Sequence, residues 1–181
     1  MKNLEIKAKC KDLNHIEQAI RNIGAKYKGV LNQTDTYFPV KLGRLKIRVI
    51  NSKKYELIYY YRANRKSERY SNYEIVNIIN GKEMLSLLSR SLNLLCVVRK
   101  KRELYIYENV RIHLDTVQKL GRFIEFEIVC NSKKDEKEAF GKMRYLKKVF
   151  NIGEKSLIQY SYSDLVISNN KKNNRFPLSR E

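Results

Sequence analysis

The chain has 181 residues, 43% of them apolar, enough for one domain with a substantial core. A formal net charge of +19 predicts an anionic partner: nucleic acid, an anionic membrane or a phosphate-rich small molecule. Three scattered cysteines without CxxC spacing speak against a disulfide framework, and no apolar run approaches the roughly 20 residues of a membrane span.

The chain turns charged at its start, which gives no sign of a leader and predicts a cytoplasmic protein with reduced thiols. In NLEIKAKC (3–10), Asn3, Glu5, Lys7 and Lys9 alternate with Leu4, Ile6 and Ala8, the period of a strand. Asp12 as N-cap, Leu13, Ile16, Ile20 and Ile23 at three- and four-residue steps, and Gly24 as terminator predict a helix. Strands follow at NQTDTYFPV (32–40, its proline suited to a strand end), GRLKIRVI (43–50), KKYELIYYYR (53–62) and YSNYEIVNI (70–78). Residues 82–95 read as a second amphipathic helix. CVVRKKRELYIY (96–107), NVRIHLDTV (109–117) and GRFIEFEIV (121–129) read as three more strands. A third helix covers 133–151 with Phe140, Met143, Leu146 and Phe150 as its apolar positions, and a short helical stretch lies near SLIQYSYSDLV (156–166). The fold class is α+β: about eight mainly antiparallel strands with flanking helices, closure into a barrel being the way to remove exposed edges. The domain is expected over 1–167, with 168–181 a basic, flexible tail.

The charges share strand faces. Arg44, Lys46 and Arg48 lie opposite Leu45, Ile47 and Val49; Arg111, His113 and Asp115 lie opposite Val110, Ile112 and Leu114; Glu125 and Glu127 lie opposite Ile124, Phe126 and Ile128. Glu56 and Arg62 share a side with Ile58 and Tyr60, while VVRKKREL is basic on both faces and its orientation stays open. Two arrangements satisfy this pattern. In the ordinary one, charged faces meet water. In the inverted one, apolar faces pack outward against helices and charged faces line a wet tunnel, which is stable only if cations and anions fill it together. In the second case Glu5, Asp115, Glu125 and Glu127 would hold a hard divalent cation, Mg²⁺ or Mn²⁺, and Lys7, Lys46, Arg48, Arg62 and Arg102 would neutralise a polyphosphate. Periodicity does not choose between them.

The ordered set NLEIKAK, DTYF, GRLKIR, ELIYYYR, VVRKKRELY, VRIHLDTVQKLGRFIEFE and SYSDL resembles the CYTH superfamily, the triphosphate tunnel metalloenzymes, over roughly residues 2–166. Within it the chain looks most like class IV adenylyl cyclase-like proteins, and LDTVQKLGRFIEFE is the most specific piece. The resemblance implies an eight-stranded antiparallel barrel forming a polar tunnel, and Mg²⁺ or Mn²⁺ acting with a triphosphate-bearing small molecule. Members cyclise ATP, or hydrolyse inorganic or thiamine triphosphate. Matched by position, the metal carboxylates fall on Glu5, Glu125 and Glu127 with Asp115 close by. The phosphate-binding bases fall on Lys7, Lys46, Arg48, Arg62, Lys100 and Arg102, which turns the last two inward, and Arg111 joins them from the His113 face. Glu5, Lys7 and Asp115 carry the catalytic assignment. The family signature Glu-x-Glu-x-Lys begins here with Asn3, a neutral ligand, which predicts weaker metal binding.

The implied reaction is cyclisation of ATP to cyclic AMP and pyrophosphate, with release of orthophosphate by a triphosphatase as the alternative. A rival class stays open: tyrosines interleaved with bases in ELIYYYR and SERYSNYEI could stack single-stranded RNA, and a silent nucleotide or polyphosphate sensor is a third reading. His15 is expected on the surface, His113 is a candidate for the tunnel, and Tyr37 and Tyr160 are candidates for core or lid. No glycine-rich phosphate loop, H-E-x-x-H or G-x-S-x-G is present. A monomer and a homodimer are both compatible with the sequence.

Overall fold

Strands with one apolar and one charged face can bury both faces only if they close on themselves, and they do. The computed structural model describes residues 2–10, 12–62, 64 and 67–173. Among the described residues the strands are β1 (Lys2–Lys9), β2 (Lys26–Phe38), β3 (Arg44–Ile50), β4 (Lys54–Arg62), β5 (Arg69–Ile78), β6 (Cys96–Tyr107), β7 (Val110–Val117) and β8 (Gly121–Val129). They form a closed antiparallel barrel in the order β1-β5-β4-β3-β2-β6-β7-β8, with β8 pairing back to β1. The helices are α1 (Leu13–Asn22), α2 (Gly81–Ser91), α3 (Lys133–Val149) and α4 (Tyr162–Asn173). None is long and apolar enough to cross a membrane.

The barrel is the inverted arrangement. Leu4, Ile6 and Ala8 of β1, Val110, Ile112 and Leu114 of β7, and Ile124, Phe126 and Ile128 of β8 point outward. They bury themselves under Ile16, Ala19 and Ile20 of α1 and Ala139, Met143 and Leu146 of α3. Phe150 closes this core edge-on against Phe126, ring centroids 4.9 Å apart. Asn3, Glu5 and Lys7, on the opposite parity of β1, are buried inside the barrel.

Local signals set the ends. Asp12 caps α1 by accepting from the His15 amide, and Gly24 at φ +71° ends it; His15 is exposed, as expected. Ser132 and Asp135 form a capping box at the start of α3. Three expectations need correction. β2 begins at Lys26 rather than 32, because a bulge between Tyr27 and Gly29, with Gly29 at φ +112°, breaks the alternation there. α2 stops at Ser91 rather than 95, because Asn93 takes the left-handed conformation at φ +62° and the chain turns to bond the Leu95 amide to the Tyr37 carbonyl. Phe140 is half-exposed and leans edge-on against Tyr70, while Ala139 takes the buried position of that turn. The helix expected near 156–166 starts at Tyr162 and runs to Asn173, past the expected domain boundary; 174–181 of the expected tail lie outside the described residues. Cys96 and Cys130 are buried, Cys10 is half-buried, and all three are free thiols.

Candidate active site in the barrel

The inward faces enclose a cavity of about 300 Å³. Strand order gathers most of the carboxylates on one set of neighbouring strands and most of the bases on another. On one wall, β1, β8 and β7 run side by side. Their register sets Glu5 opposite Glu127, Lys7 opposite Glu125, and His113 opposite Glu125. On the other, β3, β2 and β6 present Lys46, Arg48, Lys100 and Arg102. Lys100 and Arg102 point inward while Arg99 and Lys101 are exposed, so the Lys-x-Arg parity is the one the family resemblance implied.

Asp35 of β2 organises the basic wall. Its carboxylate accepts from Lys46 Nζ at 2.8 Å and from both Arg48 Nε and Nη2 at 2.7 and 2.8 Å, with Lys100 Nζ at 3.7 Å. Burial opposes its charge, yet Arg48, Lys46 and Lys100 hold its carboxyl well below the usual range. Burial and the neighbouring Arg48 bring Lys46 down to about 8, despite Asp35. Burial and Arg102 bring Lys100 down to about 7. These amines therefore change charge near neutrality, whereas Arg48 and Arg102 stay charged.

Asp115, expected to ligate metal and take part in catalysis, sits behind the wall instead of on it. It is 1% exposed, and Arg102 Nε and Nη2 bond its two oxygens at 2.7 and 2.6 Å. The Tyr162 hydroxyl donates to Oδ2 at 2.9 Å. Burial works against its ionisation, but Arg102 and Lys100 bring its pKa to about 2. In this place it holds Arg102, which also donates to Glu125 Oε2 at 2.8 Å. Glu5 lines the cavity, and Arg69 Nε donates to it at 3.2 Å while bonding the Ile158 and Gln159 carbonyls.

On the acidic wall, one oxygen each of Glu125 and Glu127 and one ring nitrogen of His113 lie within 4.8 Å of one another. His113 Nδ1 is buried without a hydrogen bond, 3.7 Å from Glu125 Oε2 and 3.7 Å from Glu127 Oε1. Two carboxylates and an orphaned imidazole nitrogen fit a divalent cation. Glu5 and Asp115 are not in this group; His113 is. Burial opposes ionisation of Glu125, but Lys7, 3.5 Å away, then His113 and Arg102 keep it well below its usual pKa. Asn3 is a buried strand residue. Its amide donates to Glu127 Oε2 at 3.3 Å and its carbonyl accepts from the Tyr73 hydroxyl at 3.4 Å.

Arg111 lines the cavity at its open side, 3.5 Å from Glu127. Arg62 ends β4, but its side chain lies outside the described residues. Tyr37 lines the cavity; Tyr160 is about half exposed. The tyrosines proposed for RNA stacking split between faces: Tyr60 and Tyr73 point into the cavity, Tyr70 packs on Phe140, and Tyr59 and Tyr61 stay outside. Three side chains at the site were not singled out from sequence. Asp35 is the one carboxylate of its strand and shares parity with Tyr37, a usable signal. Arg69 is the cross-strand partner of Glu5, visible only once β1 and β5 are paired. Tyr162 reaches the site because α4 returns to the barrel; its ring lies 3.7 Å from Lys7 Nζ.

The chain is 25% identical over 172 residues to a Methanocaldococcus jannaschii protein named as a candidate adenylate cyclase, covering 91% of this chain and 98% of that one. The PH1012 protein of Pyrococcus horikoshii shares the fold at a TM-score of 0.77 and 23% identity, over 90% of this chain and 98% of that one. HpAC1 of Hippeastrum, a candidate adenylyl cyclase described as having a dominant triphosphatase activity, shares it at 0.62 and 15%, over 99% and 100%. The CYTH domain profile matches residues 1–162, from the first strand of the barrel to the first residue of α4, and the chain belongs to the CYTH domain family.

Proposed function

We propose that the tunnel is the active site of a metal-dependent enzyme acting on a nucleoside triphosphate, in the manner of a class IV adenylyl cyclase. The observation that carries this reading is a single barrel cavity whose lining combines a cluster of lysines and arginines with a cluster of carboxylates. Arg48 and Arg102 offer guanidinium forks to phosphate oxygens, and Lys46 and Lys100 act as point charges. Near neutral pH part of Lys100 is uncharged, and an arriving phosphate favours the protonated Nζ. Glu125 and Glu127 would hold the divalent metal, whose bound charge lowers the barrier to attack at phosphorus. Lys7 lies between Glu125 and the Tyr162 ring, and Arg102, bonded to Glu125, links the two walls. Asp35 and Asp115 keep the bases in place before substrate arrives, and this positioning is most of what phosphoryl chemistry asks of a protein.

An organic substrate is favoured by the rest of the lining. Ile58 and Tyr60 of β4 and Tyr73 and Ile75 of β5 give the cavity an apolar, aromatic side with room for a base. In cyclisation the ribose 3′-oxygen attacks the α-phosphorus and pyrophosphate leaves. Hydrolysis of the terminal phosphate by water is the second reading, favoured by the activity described for HpAC1, and it uses the same clamp. Incubation with ATP and, separately, inorganic tripolyphosphate, each with Mg²⁺ or Mn²⁺, decides: cyclic AMP plus pyrophosphate supports the first, orthophosphate the second. Loss of product in Lys46→Ala and Arg48→Ala ties either activity to the tunnel. A folded protein that releases neither product from either substrate refutes the proposal.

A further inference from the structure

The acidic wall differs from an all-oxygen site in two ways. Asn3 contributes no charge and donates its amide to Glu127. His113 stands in the register opposite Glu125, with Nδ1 aimed between Glu125 Oε2 and Glu127 Oε1 at 3.7 Å from each. That separation is too long for a hydrogen bond, yet two bonds of roughly 2.1 Å to a shared ion span it. The residue is 4% exposed and its Nδ1 is buried, so water does not satisfy this nitrogen from bulk. A buried imidazole nitrogen that makes no hydrogen bond and lies 3.7 Å from each of two carboxylates is a ligand set in which one donor is nitrogen.

We propose that His113 Nδ1, Glu125 and Glu127 form a mixed nitrogen–oxygen site that selects a first-row transition dication over Mg²⁺. The proposal rests on the reading of the tunnel as a metal-dependent triphosphate site. Mg²⁺ is a hard cation that favours oxygen and surrenders its water reluctantly, whereas imidazole raises affinity for the ions from Mn²⁺ to Zn²⁺. Coordination through Nδ1 leaves the ring proton on Nε2. The surrounding cations set the strength of the site. Arg102 lies 2.8 Å from Glu125 Oε2, Lys7 lies 3.5 Å from Glu125 Oε1, and Arg111 lies 3.5 Å from Glu127 Oε2. They already offset the carboxylate charge and disfavour a further cation held by charge alone. A nitrogen donor gives the ion a bond that does not depend on net charge, which is where selectivity against Mg²⁺ arises.

Mn²⁺ is the probe, because it is paramagnetic and binds most weakly of the transition series. Titration of the full-length protein with Mn²⁺ alone, followed by electron paramagnetic resonance, gives the affinity, and electron-spin-echo modulation from ¹⁴N reports a directly bound ring nitrogen. The expected result is ¹⁴N modulation in the wild type, its loss in His113→Ala with affinity lower by about ten-fold or more, and displacement only by a large excess of Mg²⁺. No bound Mn²⁺, bound Mn²⁺ without ¹⁴N coupling, or displacement by Mg²⁺ at equal concentration each overturns the proposal on the wild type alone, whatever the variant does. The two readings separate cleanly: nitrogen-bound Mn²⁺ without turnover refutes the enzyme and leaves this site, whereas turnover with Mg²⁺ and no nitrogen coupling does the reverse.

Discussion

Replacing Asp35 by asparagine keeps the shape of the basic wall and removes the charge that organises it. Asp35 is 1% exposed and engages Lys46, Arg48 and Lys100 within 3.7 Å. Breaking a buried ion pair by neutralising one partner is destabilising by ~3–5 kcal/mol, and here three cations lose the same anion. For a domain of this size each kcal/mol moves the melting temperature by ~2–4 °C, so Asp35→Asn is expected to melt ~6–20 °C below wild type near neutral pH. The linkage has a definite sign. Folded Asp35 titrates below its unfolded counterpart, so its stabilisation is full above about pH 4 and fades as the pH falls through the lower folded value. Tripolyphosphate without metal gives the sharper test. Its oxygens take over the role of the missing carboxylate, so it raises the melting temperature of the variant more than that of wild type; at a hundred times its dissociation constant a ligand stabilises by ~2.7 kcal/mol. Thermal denaturation by circular dichroism, at low ionic strength with and without tripolyphosphate, measures both effects. An unchanged melting temperature, or a polyphosphate shift no larger in the variant than in wild type, refutes Asp35 as the organiser of an anion site.

The two tunnel lysines set a pH dependence. With Lys100 at about 7 and Lys46 at about 8, positive charge drains from the wall as the pH rises from about 6 to about 9, and tripolyphosphate affinity falls. A charged hydrogen bond contributes ~1.5–3 kcal/mol, so calorimetry at constant ionic strength should record a loss of about ten-fold or more; a flat profile counts against it, and Lys100→Arg should flatten part of the slope. Outside the tunnel, Gly81→Ala would put a Cβ 2.0 Å from the Tyr55 ring where α2 meets β4. Overpacking of this kind destabilises by ~1–3 kcal/mol, so denaturant unfolding should shift while metal-dependent turnover per folded molecule stays the same; equal stability would refute the tight packing.

Much of this barrel was legible from strand period alone, yet the period was silent on the decisive matter of inside and outside. In β1, Leu4, Ile6 and Ala8 are buried and so are Asn3, Glu5 and Lys7. A two-faced strand looks the same whether water or a tunnel lies on its polar side, and only the helices packed over Leu4 and Ile6 show which is which. In β6 the bases at 99 to 102 gave no contrast, and the inward turn of Lys100 and Arg102 came from the resemblance to a family. Asp115 shows the opposite limit. It shares parity with Arg111 and His113, but its cross-strand neighbour is Arg102, whose guanidinium covers it. Pattern fixes a face; it does not tell which residue on that face reaches the cavity. Tyr162 and Arg69 were beyond reach for another reason: each meets its partner across a long stretch of chain, through the return of α4 or the pairing of β1 with β5.

The charged interior also explains why binding and stability share groups in this fold. Among the described residues, six cations (Lys7, Lys46, Arg48, Lys100, Arg102 and Arg111) and four carboxylates (Glu5, Glu56, Glu125 and Glu127) line the cavity. Asp35 and Asp115 lie against the cationic side, and each is fully engaged by arginine. Burial of charge is tolerated because nearly every group has a partner within 4 Å, and hydrogen bonds satisfy the remaining lone pairs. The pairs do not cancel evenly along the walls. Two buried amines sit on the basic side at depressed pKa, lowered first by burial and then by a neighbouring arginine. A polyanion bound there offsets the arginine repulsion that is part of this lowering. Substitutions on the basic wall therefore alter fold and affinity together, and the part due to binding is the part that changes when polyphosphate is added. On the acidic wall the corresponding ligand is a cation, and Mn²⁺ at a given concentration should stabilise the wild type more than His113→Ala.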